Sequence, residues 1–273
     1  MSIELGRYGI WQRTSDISAE LAREVEGLGY GALWPGGSPE GHLEDIEAIL
    51  DATSSLPVAT GIVNMWRADA DLVAGSFHRI EKRHRERFVL GVGIGHPEAT
   101  SEYRKPYDTI VDYLDRLDTG GVPRERVVLA ALGPKVLELS AERTLGAHPY
   151  LTTPRHTRLA REVLGDGPLL APEQTVVVGG DADEARERAR SFVARYLRLV
   201  NYRNSLLREG WTEDDLADGG SERLVAELVL TGSPDEVAAG IRAHLDAGAD
   251  HVCIQDLGSD PVAAYRALAA ELL

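Results

Sequence analysis

One pattern recurs along this chain: an amphipathic helix, then a glycine, then a short apolar strand. Clear examples lie at 28–34, 145–150 and 247–252. The glycine suits the left-handed conformation in which many helices end. A short strand without polar residues is typical of a parallel sheet that is buried on both faces. The repetition therefore predicts an α/β fold built on parallel strands.

Eight such strands alternate with helices, and this arrangement predicts a (β/α)8 TIM barrel. We interpret residues 1–273 as a single domain with a helical insertion at 201–232, before the last βα unit, containing helices over 201–209 and 221–230. A doubly wound open sheet is the alternative fold. No G-x-G-x-x-G sequence follows the first strand, which argues against a Rossmann-type dinucleotide site. The predicted strands are 5–10, 31–34, 57–63, 87–93, 127–131, 146–150, 175–179 and 251–255.

Composition narrows the classes of partner. The chain has 29 basic and 44 acidic residues, a net charge of −15, and no basic stripe, which argues against nucleic acid and anionic membranes. No apolar run approaches the roughly 20 residues of a membrane span, and residues 1–5 do not resemble an export signal. The single cysteine, Cys253, excludes an internal disulfide. We expect a cytoplasmic protein with a small-molecule substrate.

The turn after the fifth predicted strand has the features of a phosphate site. The strand stops at Gly133 and Pro134, and a helix over 136–143 begins at once. With so little side chain, a ligand can approach the backbone, and the amides of the first helical turn favour an anion. Lys135 adds a cation. The alternative interpretation is an ordinary tight loop with proline at the first helical position.

Functional residues of a barrel lie at the C-terminal ends of its strands and in the loops that follow. These ends are rich in aromatic residues and glycine and poor in carboxylates, which suits a flat ring system lying against backbone. The alternative for each tryptophan is that it packs beneath its own loop. The aromatic and histidine candidates are Trp11, Trp34, Trp66, His96, His148 and Tyr150.

Several other kinds of site are argued against. The histidines form no H-x-H or H-E-x-x-H arrangement, so we expect no metal site. No close pair of carboxylates suggests glycoside hydrolysis, and no G-x-S-x-G nucleophile elbow is present.

Several segments in a fixed order resemble the luciferase-like monooxygenase superfamily. More narrowly, the chain is similar to the actinobacterial branch whose members use the deazaflavin coenzyme F420. The resemblance runs nearly end to end. It rests on 27–34, 59–64, 90–96, 130–135, 170–174, 201–202 and 247–252.

This resemblance implies a (β/α)8 barrel that holds F420, or alternatively FMN, at its C-terminal mouth. It implies a non-proline cis peptide between Gly61 and Ile62. It also implies that backbone amides after strand five hold the cofactor phosphate, although Pro134 has no N–H to donate. The implied cofactor-binding residues are Gly61, Ile62, Asn64, Gly93, Gly95, His96, Ala131, Leu132, Gly133, Pro134 and Lys135.

The chain also departs from the family pattern. Sugar-phosphate dehydrogenases of the superfamily carry an acidic residue and a histidine after strand two, where this chain has Trp34-Pro35. The resemblance therefore does not imply, for this chain, the catalytic base or the sugar-phosphate substrate of those enzymes. At 273 residues the chain is short for the superfamily. This length predicts that the loops around the substrate are shorter than in other members and that the pocket is open.

Three functional hypotheses follow. The first is an F420-dependent oxidoreductase that passes hydride between the deazaflavin and a small organic substrate. In it, Trp11, Trp34 and Trp66 bind substrate, and His148 or Tyr150 donates a proton. The second is an FMN-dependent monooxygenase. The third is a non-catalytic flavin- or ligand-binding barrel, because fold alone does not determine function.

One feature would separate the two cofactors. F420 has a longer anionic tail than FMN, so a basic residue beyond Lys135 near the mouth would favour F420. The sequence candidates are Arg104, Lys105 and Arg155. The resemblance also implies a homodimer, and a separate reductase is a further candidate partner.

Overall fold

The computed structural model describes residues 3–95 and 105–273. In these ranges short parallel strands alternate with helices, as the sequence pattern predicts. The strands are β1 (Tyr8–Arg13), β2 (Ala32–Gly36), β3 (Val58–Ala59), β4 (Val63–Asn64), β5 (Phe88–Gly93), β6 (Val127–Leu129), β7 (Gly146–Ala147), β8 (Leu169–Leu170), β9 (Glu173–Val178), β10 (Val229–Gly232) and β11 (Val252–Asp256).

Most of the helices lie outside the strands and cover them with one apolar face. None of the helices in the described ranges is long and apolar enough to cross a membrane. They are α1 (Ala19–Leu28), α2 (Glu44–Ala52), α3 (Ala70–Arg83), α4 (Pro106–Thr119), α5 (Pro134–Arg143), α6 (Pro154–Leu164), α7 (Ala182–Tyr196), α8 (Val200–Glu209), α9 (Glu213–Leu216), α10 (Glu222–Leu228), α11 (Pro234–Asp246) and α12 (Pro261–Leu272).

The strand pairings close a ring, which confirms the (β/α)8 barrel. Every pairing is parallel, and the ring runs β1, β2, β3 with β4, β5, β6, β7, β8 with β9, and β11 back to β1. β8 and β9 share one position because β8 pairs with β7 and β9 pairs with β11. The described part of the chain therefore contributes eight strand positions, in chain order.

Several boundaries differ from the prediction: the first strand, for example, is Tyr8–Arg13 instead of 5–10. Two further differences have a local cause. The seventh strand position begins at Leu169 instead of 175. The prediction started late because Pro172 interrupts the apolar pattern. The carbonyl of Pro172 nevertheless accepts the amide of Cys253 at 2.9 Å, so the pairing continues through the proline. Helix α10 ends at Leu228, and residues predicted as its last turn form β10, which pairs with β9 outside the ring. The β-branched Val229, fully buried there, favours a strand.

The third strand position is interrupted at Thr60, between β3 and β4. The Thr60 hydroxyl donates to the carbonyl of Gly91 and accepts the Gly91 amide, both at 2.8 Å. The side chain thus replaces the ladder bonds that the interruption removes. A Cβ at Gly91 would lie 1.7 Å from the Thr60 carbonyl oxygen, so this close approach requires glycine.

Small residues surround one large side chain inside the barrel. Trp34 is fully buried there, in a cluster that includes Ala32, Ala59 and Ala171. Three strand positions thus provide the space that one indole fills. Cys253 is buried in the same cluster and is unpaired, as expected.

Candidate active site

A cavity of about 630 Å³ opens at the C-terminal ends of the strands. Its floor and walls come from the ends of β1 and β4, the residues after β5, β6 and β7, and the insertion helix α8. It brings together many residues that the sequence placed in the site, although their roles stay predictions. Those that line it are Trp11, Gly61, Ile62, Asn64, Gly95, Ala131, Leu132, Gly133, Lys135, His148 and Tyr150.

The peptide bond between Gly61 and Ile62 is cis, as the family resemblance implies. The indole N–H of Trp11 donates to the carbonyl of Gly61 at 3.0 Å. A Cβ at Gly61 would lie 2.7 Å from the indole nitrogen of Trp11 and 3.2 Å from Nε2 of His148. Glycine is therefore needed for the indole and the imidazole to approach this peptide so closely.

His148 is buried in the cavity wall and is uncharged at neutral pH. Burial lowers its pKa to about 4. Its Nδ1 lies 2.7 Å from the carbonyl oxygen of Ala171, which only accepts, so Nδ1 carries the proton. Nε2 then has a free lone pair, and no described residue bonds to it. The geometry therefore fits a hydrogen-bond or proton acceptor, whereas the sequence suggested a donor.

Tyr150 belongs to an aromatic cluster whose hydroxyls are already engaged. Its hydroxyl donates to Oε1 of Gln255 at 2.7 Å. The Tyr196 hydroxyl, 3.1 Å away, therefore donates to Tyr150. Burial raises the pKa of Tyr150 well above its usual value. Tyr150 thus presents its ring to the cavity and holds its proton toward Gln255, an arrangement that disfavours the donor role suggested by the sequence.

Some predicted site residues do not reach the cavity. Trp34 lies beneath it, stacked on His148 with ring centroids 4.5 Å apart, and its N–H donates to His251 at 3.0 Å. Its alternative interpretation, packing below the loop, matches this placement. Trp66, Gly93 and Pro134 are also absent from the lining. His96 and Arg104 lie outside the described residues.

One end of the cavity is the N-terminus of α5. Gly133 caps this helix, and the amides of Gly133 and Lys135 make no hydrogen bond with any described residue. Nε2 of His156 donates to the carbonyl of Leu132 at 3.0 Å and so holds the turn. The structure therefore has the open backbone turn that the sequence predicts at this place.

The insertion helix α8 adds groups that sequence reasoning missed. Asn201, Asn204 and Arg208 all line the cavity. Their spacing of three and four residues places them on one face of the helix, and this was the available signal. A Cβ at Gly133 would lie 3.6 Å from Nη2 of Arg208, so the guanidinium borders the open turn. Other lining residues that were missed are Arg13, Ser38, Pro106, Tyr107, Ile110, Ala130, Val136, Tyr196 and Tyr202.

The cavity is cationic although the protein is acidic. Arg13, Lys135 and Arg208 line it, and none of the described lining residues is Asp or Glu. These three cations form no ion pair with the described residues. A chain of net charge −15 thus keeps its carboxylates away from this surface. The described residues also contain no group of three or more potential metal ligands, so the arrangement suits an organic anion.

Solved structures of similar fold include an F420-dependent secondary alcohol dehydrogenase in complex with an F420–acetone adduct. It has 15% identity and a TM-score of 0.76, over 98% of this chain and 99% of that chain. The coenzyme F420-dependent tetrahydromethanopterin reductase of Methanopyrus kandleri has 15% identity and a TM-score of 0.72, over 98% of both chains. At these identities the likeness shows the shared fold.

A third similar structure is the oxygenating constituent of 3,6-diketocamphane monooxygenase of Pseudomonas putida, a type II Baeyer–Villiger monooxygenase in complex with FMN. It has 15% identity and a TM-score of 0.72, over 98% of both chains. No curated protein matches this chain in sequence. The model of the luciferase-like monooxygenase family matches residues 112–251, just over half of the chain. The chain therefore belongs to the luciferase-like monooxygenase family of oxidoreductases.

Proposed function

We propose that this protein is an F420-dependent oxidoreductase that transfers a hydride between the deazaflavin and a small organic substrate. The observation that carries the proposal is the second cation, Arg208, beside Lys135 at the N-terminus of α5. FMN ends at its phosphate, whereas F420 continues from its phosphate into an anionic tail. A basic residue beyond Lys135 therefore favours F420.

The residues at this end fit a phosphate. Pro134 has no N–H, and the amide of Val136 is taken by the carbonyl of Gly133 at 3.1 Å. The donors left for a phosphate are the amides of Gly133 and Lys135, with the side chains of Lys135 and Arg208. Backbone donors at a helix N-terminus together with flanking cations are a common phosphate environment.

The middle of the cavity fits a flat ring. Ile62, Ile94 and Ala130 provide apolar surface, and the rings of Trp11 and Tyr150 lie 5.4 Å apart at the substrate side. Apolar and aromatic walls with a few polar groups are typical of cofactor sites. The neutral His148 contributes the one described lone pair, at Nε2, that no residue already engages in this part of the wall.

When bound, the deazaflavin would supply a hydride acceptor or donor at its C5. The protein would supply binding, orientation and a proton acceptor. Nε2 of His148 is itself covered in the structure. In the oxidising direction it would accept the proton of a substrate hydroxyl once bound substrate displaces the side chains over it, while the Nδ1–H stays on the carbonyl of Ala171. The aromatic side chains would limit access of water to that hydroxyl.

Fluorescence titration of the purified protein tests the cofactor. The ligands are F420, FMN, and the deazaflavin nucleoside analogue that lacks phosphate and tail. We expect F420 to bind most tightly, and Arg208→Gln to weaken its binding about tenfold or more while leaving the nucleoside analogue unaffected. Arg7→Gln is the matched control, because Arg7 lies before β1 at the opposite end of the barrel.

The alternatives give different results. Tight binding of FMN without binding of F420 would replace the proposal with an FMN-dependent monooxygenase. Full occupancy by F420 with no single-turnover reduction or oxidation by any substrate would support a non-catalytic binding barrel. Equal loss of F420 affinity in Arg7→Gln and Arg208→Gln would show that Arg208 is not the phosphate-end cation.

A further inference from the structure

A third cation of the cavity lies on the side opposite the phosphate end. Arg13 is the last residue of β1, and Lys135 follows β6. β1 and β6 occupy the first and fifth of eight positions in the closed ring, so they face each other across the mouth. The cavity therefore has two cationic ends separated by its aromatic floor.

Arg13 is exposed to the cavity and has no partner among the described residues. It forms no hydrogen bond or ion pair with them. A cation with neither a carboxylate nor a carbonyl partner inside a cavity is free to bind an anion.

A turn beside Arg13 offers further donors. Gly37 and Ser38 both have left-handed backbone, with φ of 79° and 62°. The parallel bridge between Gly36 and Gly61 directs the Gly37 amide at the carbonyl of Gly61. The amide and hydroxyl of Ser38 donate to no described residue, and Gly37 and Ser38 both line the cavity. A Cβ at Gly37 would lie 3.9 Å from Cγ of Arg13, so the turn and the arginine are adjacent. The free amide and hydroxyl of Ser38 thus add two donors beside the guanidinium, which suits an anion.

We propose that Arg13 and the Gly37–Ser38 turn bind a carboxylate of the substrate. The substrate class is thus a small organic carboxylate whose reacting carbon lies above the floor formed by Trp11 and Gly61. One guanidinium matches one carboxylate in charge and in bidentate geometry, whereas the α5 end, with two cations, matches a phosphodiester together with the start of an anionic tail. The reaction of this substrate rests on the proposed function. The binding of its carboxylate rests only on Arg13 and the Gly37–Ser38 turn.

The tail of the cofactor is the other anion that could reach a cationic group at the mouth. In F420 the tail extends beyond the phosphate, away from the ring. If the phosphate is held at α5, the tail would leave the cavity on the α5 side, across the mouth from Arg13. The substrate side of the ring would then lie next to Arg13.

Calorimetric titration tests the proposal with phenylacetate and hexanoate as probes and their neutral amides as controls. The titrations use the protein saturated with whichever cofactor binds, and are repeated without cofactor. We expect the wild type to bind at least one carboxylate about tenfold or more tightly than its amide, and Arg13→Gln to abolish that preference. Arg13→Lys should retain part of it, and Arg7→Gln should retain all of it.

Cofactor affinity is measured on the same variants. Arg13→Gln should bind F420 or FMN with an affinity within about twofold of wild type. Lys135→Gln should instead weaken cofactor binding and keep the preference for carboxylate over amide. Equal binding of acid and amide by the wild type overturns the proposal, as does an Arg13→Gln variant that weakens cofactor binding and leaves carboxylates unaffected. Absence of any cofactor binding refutes the proposed function separately, since the cofactor-free titrations still report on the carboxylate site.

Discussion

At the scale of single residues, the structure decides the chemical state of side chains whose identity is obvious from the sequence. His148 is an acceptor because the carbonyl of Ala171 holds its one proton and burial keeps it neutral. Tyr150 is held by Gln255 and Tyr196. Neither state is visible in a linear sequence, because each depends on a partner that is distant along the chain.

Gly133 provides a test at this scale. Its φ of −96° suits any residue, and an added Cβ would meet only ordinary contacts. Gly133→Ala should therefore leave the midpoint of thermal unfolding within about 2 °C of wild type. The methyl group would lie between the free amides and Arg208, and should weaken F420 binding about tenfold. Gly75→Ala, in the middle of α3 with no atom within 4 Å of the new Cβ, is the control. Unchanged affinity in Gly133→Ala would remove the phosphate assignment.

At the scale of secondary-structure elements, the insertion is part of the site. The sequence predicts the helix at 201–209, and α8 is found at Val200–Glu209. The prediction did not include the orientation of α8 relative to the barrel, and this orientation brings Arg208 to the N-terminus of α5. Thr153 donates to the buried carboxylate of Glu209 at 2.7 Å and fixes the end of α8 against α6. Packing of this kind cannot be inferred from helix periodicity.

Helix α7 begins at a cap that the sequence predicts. Asp181 accepts the amides of Asp183 and Glu184 at 2.9 and 3.0 Å. Asp181→Ala should lower the free energy of unfolding in urea by about 1 kcal/mol, and Asp181→Asn should recover most of the loss because it keeps the acceptor. Glu187→Ala, on the exposed face of the same helix, changes the charge equally and is the control. An equal loss in the Glu187 variant would mean that charge, rather than capping, is responsible.

At the scale of the whole molecule, carboxyl groups enclosed by the barrel make stability depend on pH. Glu173 is fully buried, and burial raises its pKa to about 7. It accepts the amide of Leu151 at 3.1 Å and the hydroxyl of Thr175. Such a group stabilises the fold at a pH below the unfolded pKa of about 4.5, and this contribution is lost as the pH rises through about 7.

The variant Glu173→Gln isolates this effect. Relative to Glu173→Gln, the wild type should lose up to about 3 kcal/mol of unfolding free energy between pH 4.5 and pH 7. The measurement is urea denaturation of both proteins across this range. The amide can still accept from Leu151 and donate to Thr175, so the fold should persist. Glu187→Gln is the solvated control, and a Glu173→Gln difference no larger than that of the control would contradict the prediction.

The homodimer implied by the family resemblance stays a prediction, and size-exclusion chromatography with light scattering would measure it. By itself, the sequence determined the alternation of strands and helices, their number in the ring, the open backbone turn at Gly133 and the cap at Asp181. Each of these follows from local periodicity or from turn chemistry over a few residues.

The tertiary structure alone decided that Trp34 lies beneath the site and that Arg13 and Arg208 line it. In the sequence, nothing distinguishes Trp34 from a tryptophan at the end of a strand that faces the site. In the structure, alanines of other strands leave space for its side chain inside the barrel. Arg13 and Arg208 lie far apart in sequence, and they enter one cavity only because the ring closes and the insertion folds over its mouth. The ring closes by pairing strands that are distant in sequence, so no local sequence pattern predicts which side chains it brings together.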